Sequence, residues 1–218
     1  MSEEESRLRI ARRIAKELPD NAVVNLGIGI PTLVSSFLPE GKGILLHSEN
    51  GYIGLGAPPP AGQEDPDLVN AGGQAATLVP GSSCFDSSMS FAIVRGKHLD
   101  YTILGALEVD EEGNLANYMI PGKFVPGIGG AMDLSVGAKN VVIAMEHVNK
   151  HGEPKIVPKC TLPLTAAKEV NLIVTDLAFI RITPKGLVLE EIAEDTTLEE
   201  VIKKTSAKLI VSEKLGRF

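Results

Sequence analysis

The residues best able to do chemistry lie in the tetrapeptide Ser48-Glu49-Asn50-Gly51, directly after the apolar run Ile44-Leu45-Leu46. An apolar run that ends in polar residues and glycine reads as a buried strand carrying a site at its carboxyl end. The residue delivered there is a carboxylate, and burying a charge without partners is costly. One explanation is structural: Glu49 caps a turn or pairs with a basic residue. The other is chemical. A carboxylate with an ordinary pKa of about 4.3 is ionised at neutral pH and can attack an activated carbonyl without a general base. It is a weak nucleophile, so binding energy from a remote part of the substrate must lower the barrier. Each tetrahedral intermediate would carry an oxyanion, which aimed backbone N–H groups stabilise by roughly 3 kcal/mol apiece. Gly129-Gly130-Ala131, read as a helix start, offers such donors and leaves room for a reacting carbonyl.

Other candidates carry less. Gly27-Ile28-Gly29-Ile30-Pro31-Thr32 opens like a dinucleotide fingerprint, but Thr32 replaces the third glycine and argues against NAD. No Walker A sequence is present. His147 and His151 stand four apart, follow a strand and lack a third ligand, so a solvated turn and no metal are expected. His47 is read as structural. Cys84, beside Phe85, is read as packing rather than as a nucleophile, and Cys84 and Cys160 are both expected to be reduced and structural. Glu108, Asp110, Glu111 and Glu112 read as a solvated turn rather than a catalytic acid pair.

These residues need a frame to position them. Residues 3–18 carry Leu8, Ala11, Ile14, Ala15 and Leu18 at helical spacing, with Glu3 to Glu5 at the positive end and Pro19-Asp20 as the stop. A strand over 22–26 leads into Gly27–Pro31, and Pro31 is placed at the first position of a helix reaching about Leu38. Residues 43–48 form the second strand of a βαβ unit, which implies a parallel sheet. A long loop over 56–67 could cover the site. Further strands are expected near 75–79, 99–104 and 140–145, and a helix capped by Asp86 or Ser87 runs through Arg95. A second glycine loop spans 121–130. After residue 150 short β-like runs dominate, Thr197–Glu200 reads as a capping box, and 209–211 forms a last strand. Residues 1–218 are read as one domain.

The chain's 218 residues carry a net charge of -7, with no stripe of Lys and Arg interleaved with aromatics, which argues against nucleic-acid binding. No apolar stretch reaches membrane-spanning length, and the N-terminus lacks the basic and apolar regions of a signal peptide. A cytoplasmic protein is expected. With Trp absent and aromatics at 4%, the core must be built from Val, Ile, Leu and Ala.

Taken together, these stretches resemble the family I coenzyme A-transferases, and specifically the β half of 3-oxoacid CoA-transferases. The resemblance is carried by 25–31 (Asn-Leu-Gly-Ile-Gly-Ile-Pro), 47–51 (His-Ser-Glu-Asn-Gly), 67–72, 90–92, 115–123 and 129–134, in order and over nearly the whole chain. It implies an α/β fold with a mixed, largely parallel sheet and flanking helices, of the isomerase-like CoA-transferase type. It implies transfer of CoA between an acyl-CoA and a short-chain 3-oxoacid, as in ketone-body metabolism, through a glutamyl-CoA thioester on Glu49. Gly130 and Ala131 then fall in the oxyanion region. Asn25, Gly27, Gly29, Asn50, Gly51 and Gly129 fall at the substrate and CoA site. Coenzyme A is a substrate here, and no cofactor or metal is implied. The resemblance also implies an α subunit as partner in an α/β hetero-oligomer. Gly73 and Thr77 depart from the Lys and Asp common in the family at those positions. Alternatives on the same residues are one chain of a 3-oxoadipate CoA-transferase, an acyl-CoA hydrolase, and a non-catalytic ligand-sensing domain.

Overall fold

The computed structural model describes residues 2–123, 125 and 127–218. It opens with helix α1 (Glu3–Glu17), nucleated by a reciprocal cap. The Ser2 hydroxyl accepts the Glu5 N–H at 3.2 Å while the Glu5 carboxylate accepts the Ser2 N–H at 2.7 Å. Its apolar stripe, Ile10, Ala11, Ile14 and Ala15, is buried.

Strands β1 (Val23–Leu26) and β2 (Leu45–Ser48) follow, separated by a 3-10 helix over Ile30–Phe37. Then come β3 (Tyr52–Leu55), β4 (Leu78–Cys84), α2 (Ser87–Arg95) and β5 (Tyr101–Leu104). After β6 (Glu108–Asp110) and β7 (Leu115–Ala116), helix α3 (Ala131–Gly137) leads into β8 (Asn140–Ala144) and β9 (Ile156–Val157). The chain ends with β10 (Val170–Val174), β11 (Ala178–Thr183), β12 (Gly186–Ile192), α4 (Leu198–Lys203) and β13 (Leu209–Arg217).

Ten strands form one sheet in the order β13-β12-β11-β10-β8-β5-β1-β2-β3-β4, and β7-β6-β9 form a second. The centre of the large sheet, β10-β8-β5-β1-β2, is parallel throughout. β3 and β4 add antiparallel at one side, and β11 and β12 at the other. Alternation along the central strands splits the core in two, as expected for a sheet covered on both faces. Val141 and Ile143 of β8 pack with Val94 of α2, Leu134 of α3 and Val201 of α4. Val142 and Ala144 pack with Ile10 and Ile14 of α1. The carboxyl ends of β1, β2 and β5 therefore open side by side, where crossover connections leave a crevice. No helix among the described residues is long and apolar enough to cross a membrane.

Several expectations need correction. The segment after Gly29 is a 3-10 helix starting at Ile30, so Pro31 stands second in it rather than first. The strand expected near 75–79 runs instead over Leu78–Cys84, and its partner β3 has no counterpart in the sequence reading. The turn at 110–114 is not solvated at Asp110, which is buried and accepts the N–H groups of Glu112, Asn114 and Cys160. Those amides hold its carboxyl below the usual range against the opposing effect of burial. His147 is fully buried between the hydroxyls of Thr175 and Thr205, each 2.8 Å away. Cys84 is exposed and packs no core, whereas burial pushes the Cys160 thiol up to about 12, which keeps it protonated. At Thr197 one arm of the box forms, its hydroxyl accepting the Glu200 N–H, while the Glu200 carboxylate turns to Thr196 and Lys204.

Candidate active site

Glu49 leaves the end of β2 on a turn that its neighbours hold. The Ser48 hydroxyl donates to Asn50 Oδ1 at 2.7 Å and accepts the Ala71 N–H at 3.1 Å. The Asn50 amide donates to the Val69 carbonyl at 2.7 Å. The residues on either side of Glu49 are thus tied to one stretch, Val69–Ala71. Gly51 closes the turn at φ 131°, where only glycine is at ease, and a Cβ there would run into the Phe85 carbonyl.

The turn presents Glu49 to a cavity of about 590 Å³ at the carboxyl ends of the parallel strands. Asn25, Gly27, Glu49, Gly129, Gly130 and Ala131 all line it. Gly29, Asn50 and Gly51, expected at the same site, are not among its walls: Asn50 and Gly51 build the turn, and Gly29 precedes the 3-10 helix at φ 92°. Gly27 lines the cavity where β1 passes β5; its N–H donates to the Ile103 carbonyl at 2.9 Å, and an added Cβ would stand 3.0 Å from that oxygen.

The opposite wall is the glycine loop. Gly129 adopts φ 54°, with open space where a side chain would go. Gly130, the residue before α3, has φ -83°, which any residue can adopt. What it requires is room: a Cβ on Gly130 would lie 2.7 Å from Glu49 Oε2 and 2.9 Å from its Cδ. Burial raises the Glu49 pKa above its ordinary value, the Gly130 backbone amide draws it partly back, and the Asp133 charge pushes it up further. The Ala131 N–H turns to the Ile128 carbonyl at 3.3 Å. Of the two, it is the Gly130 amide that bears on the Glu49 carboxylate.

Behind Glu49 lies a buried polar chain absent from the sequence reading of the site. Asn25 Nδ2 lies 3.2 Å from His47 Nδ1, His47 Nε2 lies 3.0 Å from Ser90 Oγ, and the Thr102 hydroxyl donates to Asn25 Oδ1 at 3.4 Å. All four residues are buried. Burial lowers the His47 pKa to about 4, so the ring is neutral at pH 7. With the Asn25 amide donating to Nδ1, the consistent tautomer carries its proton on Nε2 and gives it to Ser90. The Asn25 side chain is committed to this network, although the residue also lines the cavity. The signal that could have found it was the proximity of 25 and 47 on neighbouring parallel strands, which are paired in register.

Gly73 has φ 75°, and the Thr77 hydroxyl donates to the Ala57 carbonyl at 2.6 Å. Both residues shape the loops beside the cavity rather than lining it. Among the described residues, no group of three or more His, Cys, Asp or Glu is placed to hold a metal.

The sequence of this chain matches the family model described as "Coenzyme A transferase" over residues 7–204. It is 53% identical over 212 residues to the beta chain of an acetate CoA-transferase of Escherichia coli K12, covering 97% of each chain. It is 51% identical over 209 residues to one chain of a probable succinyl-CoA:3-ketoacid coenzyme A transferase of Bacillus subtilis, covering 96% of this chain and 97% of that one. Its fold is similar to an acyl-CoA transferase (YdiF) of E. coli O157:H7, with a TM-score of 0.77 at 22% identity. That match takes in 98% of this chain and 43% of the longer one.

Proposed function

Because the chain belongs to the coenzyme A transferase family, we propose that it is the nucleophile-bearing subunit of a 3-oxoacid CoA-transferase. The observation that carries this reading is the Glu49 carboxylate, half-buried at the end of β2 and set against the Gly130 amide across the cavity.

In the first half-reaction the Glu49 carboxylate attacks the acyl-CoA carbonyl carbon. The C–S bond breaks, CoA leaves as a thiolate, and a mixed anhydride joins the acyl group to Glu49. The thiolate then attacks the Glu49 carbonyl carbon. The first acid departs as a carboxylate and a glutamyl-CoA thioester remains. A second carboxylate reverses the sequence, leaving with CoA and restoring Glu49. No proton is gained or lost, which suits a site whose described walls hold no ionised acid or base besides Glu49 itself. Coenzyme A enters as a substrate. The Gly130 N–H, whose backbone amide draws the Glu49 pKa down, is the natural donor to the oxyanion that forms on Glu49 during the thiolate's attack. Ala131 could join it only by releasing the Ile128 carbonyl.

The E. coli K12 and B. subtilis relatives are each named as one subunit of a transferase, so their names carry a partner. By analogy this chain works with an α chain, which completes the oxyanion site and closes the cavity to the water that would hydrolyse both intermediates. The test is to incubate the two-chain complex with acetoacetyl-CoA, reduce with borohydride, and map the adduct by peptide mass. Modification at Glu49 is the expected result. An unmodified Glu49 alongside full exchange between acetoacetyl-CoA and a second acid would sink the mechanism. The lone chain should show no exchange until the α chain is added.

A further inference from the structure

Helix α2 is bonded to the elements behind both walls of the cavity. On one side, the His47 Nε2–Ser90 Oγ contact at 3.0 Å is the only hydrogen bond joining β2 to α2 among the described residues. His47 stands two residues before Glu49, on the strand that delivers it. On the other side, α2 carries α3, the helix that begins after Gly130. Arg95 pairs with Asp133 at 2.7 Å, and Val94 shares a core cluster with Leu134. Gly137 lies so close to α2 that an added Cβ would stand 2.5 Å from the Val94 carbonyl oxygen. The Glu49 strand and the Gly130 helix are thus both referred to one element.

Ladder bonds to β1 and β3 hold β2 within the plane of the sheet. The tie to Ser90 runs out of that plane, through a side chain. Leu46 packs with Ile10 and Ile14 on the opposite face. Both members of the tie are buried, Ser90 at 0% exposure and His47 at 2%. An apolar contact there would fill the space without fixing a direction, whereas a hydrogen bond weakens steeply away from its geometry. The ring is oriented from its other edge as well: Nδ1 meets the Asn25 amide, which the Thr102 hydroxyl holds in turn. A buried polar chain with every member partnered specifies one arrangement. We propose that His47 and Ser90 are positioning residues for the transfer reaction, fixing the height at which the Glu49 turn stands against Gly130. The proposal rests on the CoA-transferase reading above.

The test uses the two-chain complex, with kcat and KM measured for exchange between acetoacetyl-CoA and a second acid. Ser90→Ala should lower kcat by about tenfold and leave KM for acetoacetyl-CoA nearly unchanged, because a misplaced nucleophile slows the chemical step. Two further variants separate the halves of the ring. Glutamine places an amide donor near Nε2 and keeps the bond to Ser90, while asparagine places an acceptor near Nδ1 and keeps only the bond from Asn25. His47→Gln should retain several times the kcat of His47→Asn, and that advantage should vanish when Ser90→Ala is added. Thermal melts accompany each variant. Parental kcat in Ser90→Ala with only a lowered melting temperature overturns the proposal, since the pair would then serve packing alone. Equal kcat in the two His47 variants, or a glutamine advantage that survives without the Ser90 hydroxyl, also overturns it. Where the His47 variants do not fold, the kcat and KM of Ser90→Ala decide by themselves. Absence of exchange in the parent complex overturns the function proposed above, and this inference with it.

Discussion

The space that a side chain on Gly130 would need is already occupied by the carboxylate of Glu49, whose Oε2 would lie 2.7 Å from the added Cβ. The obstacle is the far end of a flexible side chain, which can swing away at little cost to folding. Moving it displaces the reacting atoms. The two residues are therefore coupled for chemistry much more tightly than for stability.

Gly130→Ala is accordingly expected to lower kcat by on the order of a hundredfold, the scale of one lost oxyanion donor or a misplaced nucleophile. Its melting temperature should barely move, since φ -83° accepts alanine. Gly129→Ala supplies the contrast. Its φ of 54° strains an alanine by about 1 kcal/mol, yet the new methyl meets no atom within 4 Å. That variant should lose stability and keep most of its turnover. Steady-state kinetics and thermal melts on both variants check the pair. Equal losses of turnover in the two would show that the loop, not the contact with Glu49, is what matters.

Glu49→Gln should reduce exchange by at least about a thousandfold, in the range seen when a nucleophile is removed. The same change should stabilise the fold at neutral pH. Burial raises the Glu49 pKa, so the folded chain carries a cost for the ionised form that is fully present above the raised pKa. That cost vanishes as pH falls below the unfolded value of about 4.3. Denaturation midpoints of parent and variant should thus differ at pH 7 and converge toward pH 4. The acid limb of kcat/KM should sit above the ordinary carboxylate range, since attack needs the ionised form.

Two buried histidines set a second pH dependence of opposite sign. His47 and His147 each have a pKa lowered to about 4 by burial, against 6.5 when free. Below pH 6.5 the unfolded chain takes up protons that the folded chain refuses. Stability contributed by these two sites is whole above about 6.5 and is lost as pH falls toward about 4. Urea titrations between about pH 7 and 5 should show this decline, and His147→Gln should flatten part of it. A slope identical in parent and variant would remove His147 from the explanation.

Ser48→Ala breaks two bonds at once, those to Asn50 Oδ1 and from the Ala71 N–H. The turn that aims Glu49 loses one of its two ties to Val69–Ala71. Turnover should fall by roughly ten- to a hundredfold with a small change in KM, because misaiming affects the chemical step more than binding. Ser48→Thr, which keeps the hydroxyl, should recover much of the loss. Failure of threonine to restore any activity would argue against the hydroxyl as the cause.

How much of this was legible beforehand depended on range. Helix α1 follows from local spacing and a cap three residues long, and the Glu49 strand end follows from an apolar run broken by polar residues. The β3–β4 hairpin could not be read the same way. β4 lies at the sheet's edge, largely exposed, so no apolar alternation marks it. The burial of His147 depends on hydroxyls 28 and 58 residues away. Gly130 looked like a residue needed for its backbone, but the reason lies in Glu49, far off in sequence. Asn50 and Gly51, adjacent to the nucleophile and easily grouped with it, turn out to hold the turn rather than line the cavity.

That last division has an evolutionary consequence. In the tetrapeptide Ser48-Glu49-Asn50-Gly51, Asn50 and Gly51 build the turn, Ser48 ties it from the cavity's edge, and Glu49 alone carries a charge into the space. The bracket of serine, asparagine and glycine can therefore outlive the glutamate. A descendant that exchanged Glu49 for another residue would keep its turn, its loop ties and its cavity, and would be free to take up a different chemistry or none. In this chain the three flanking residues hold the shape, and the second position of the four alone sets the charge.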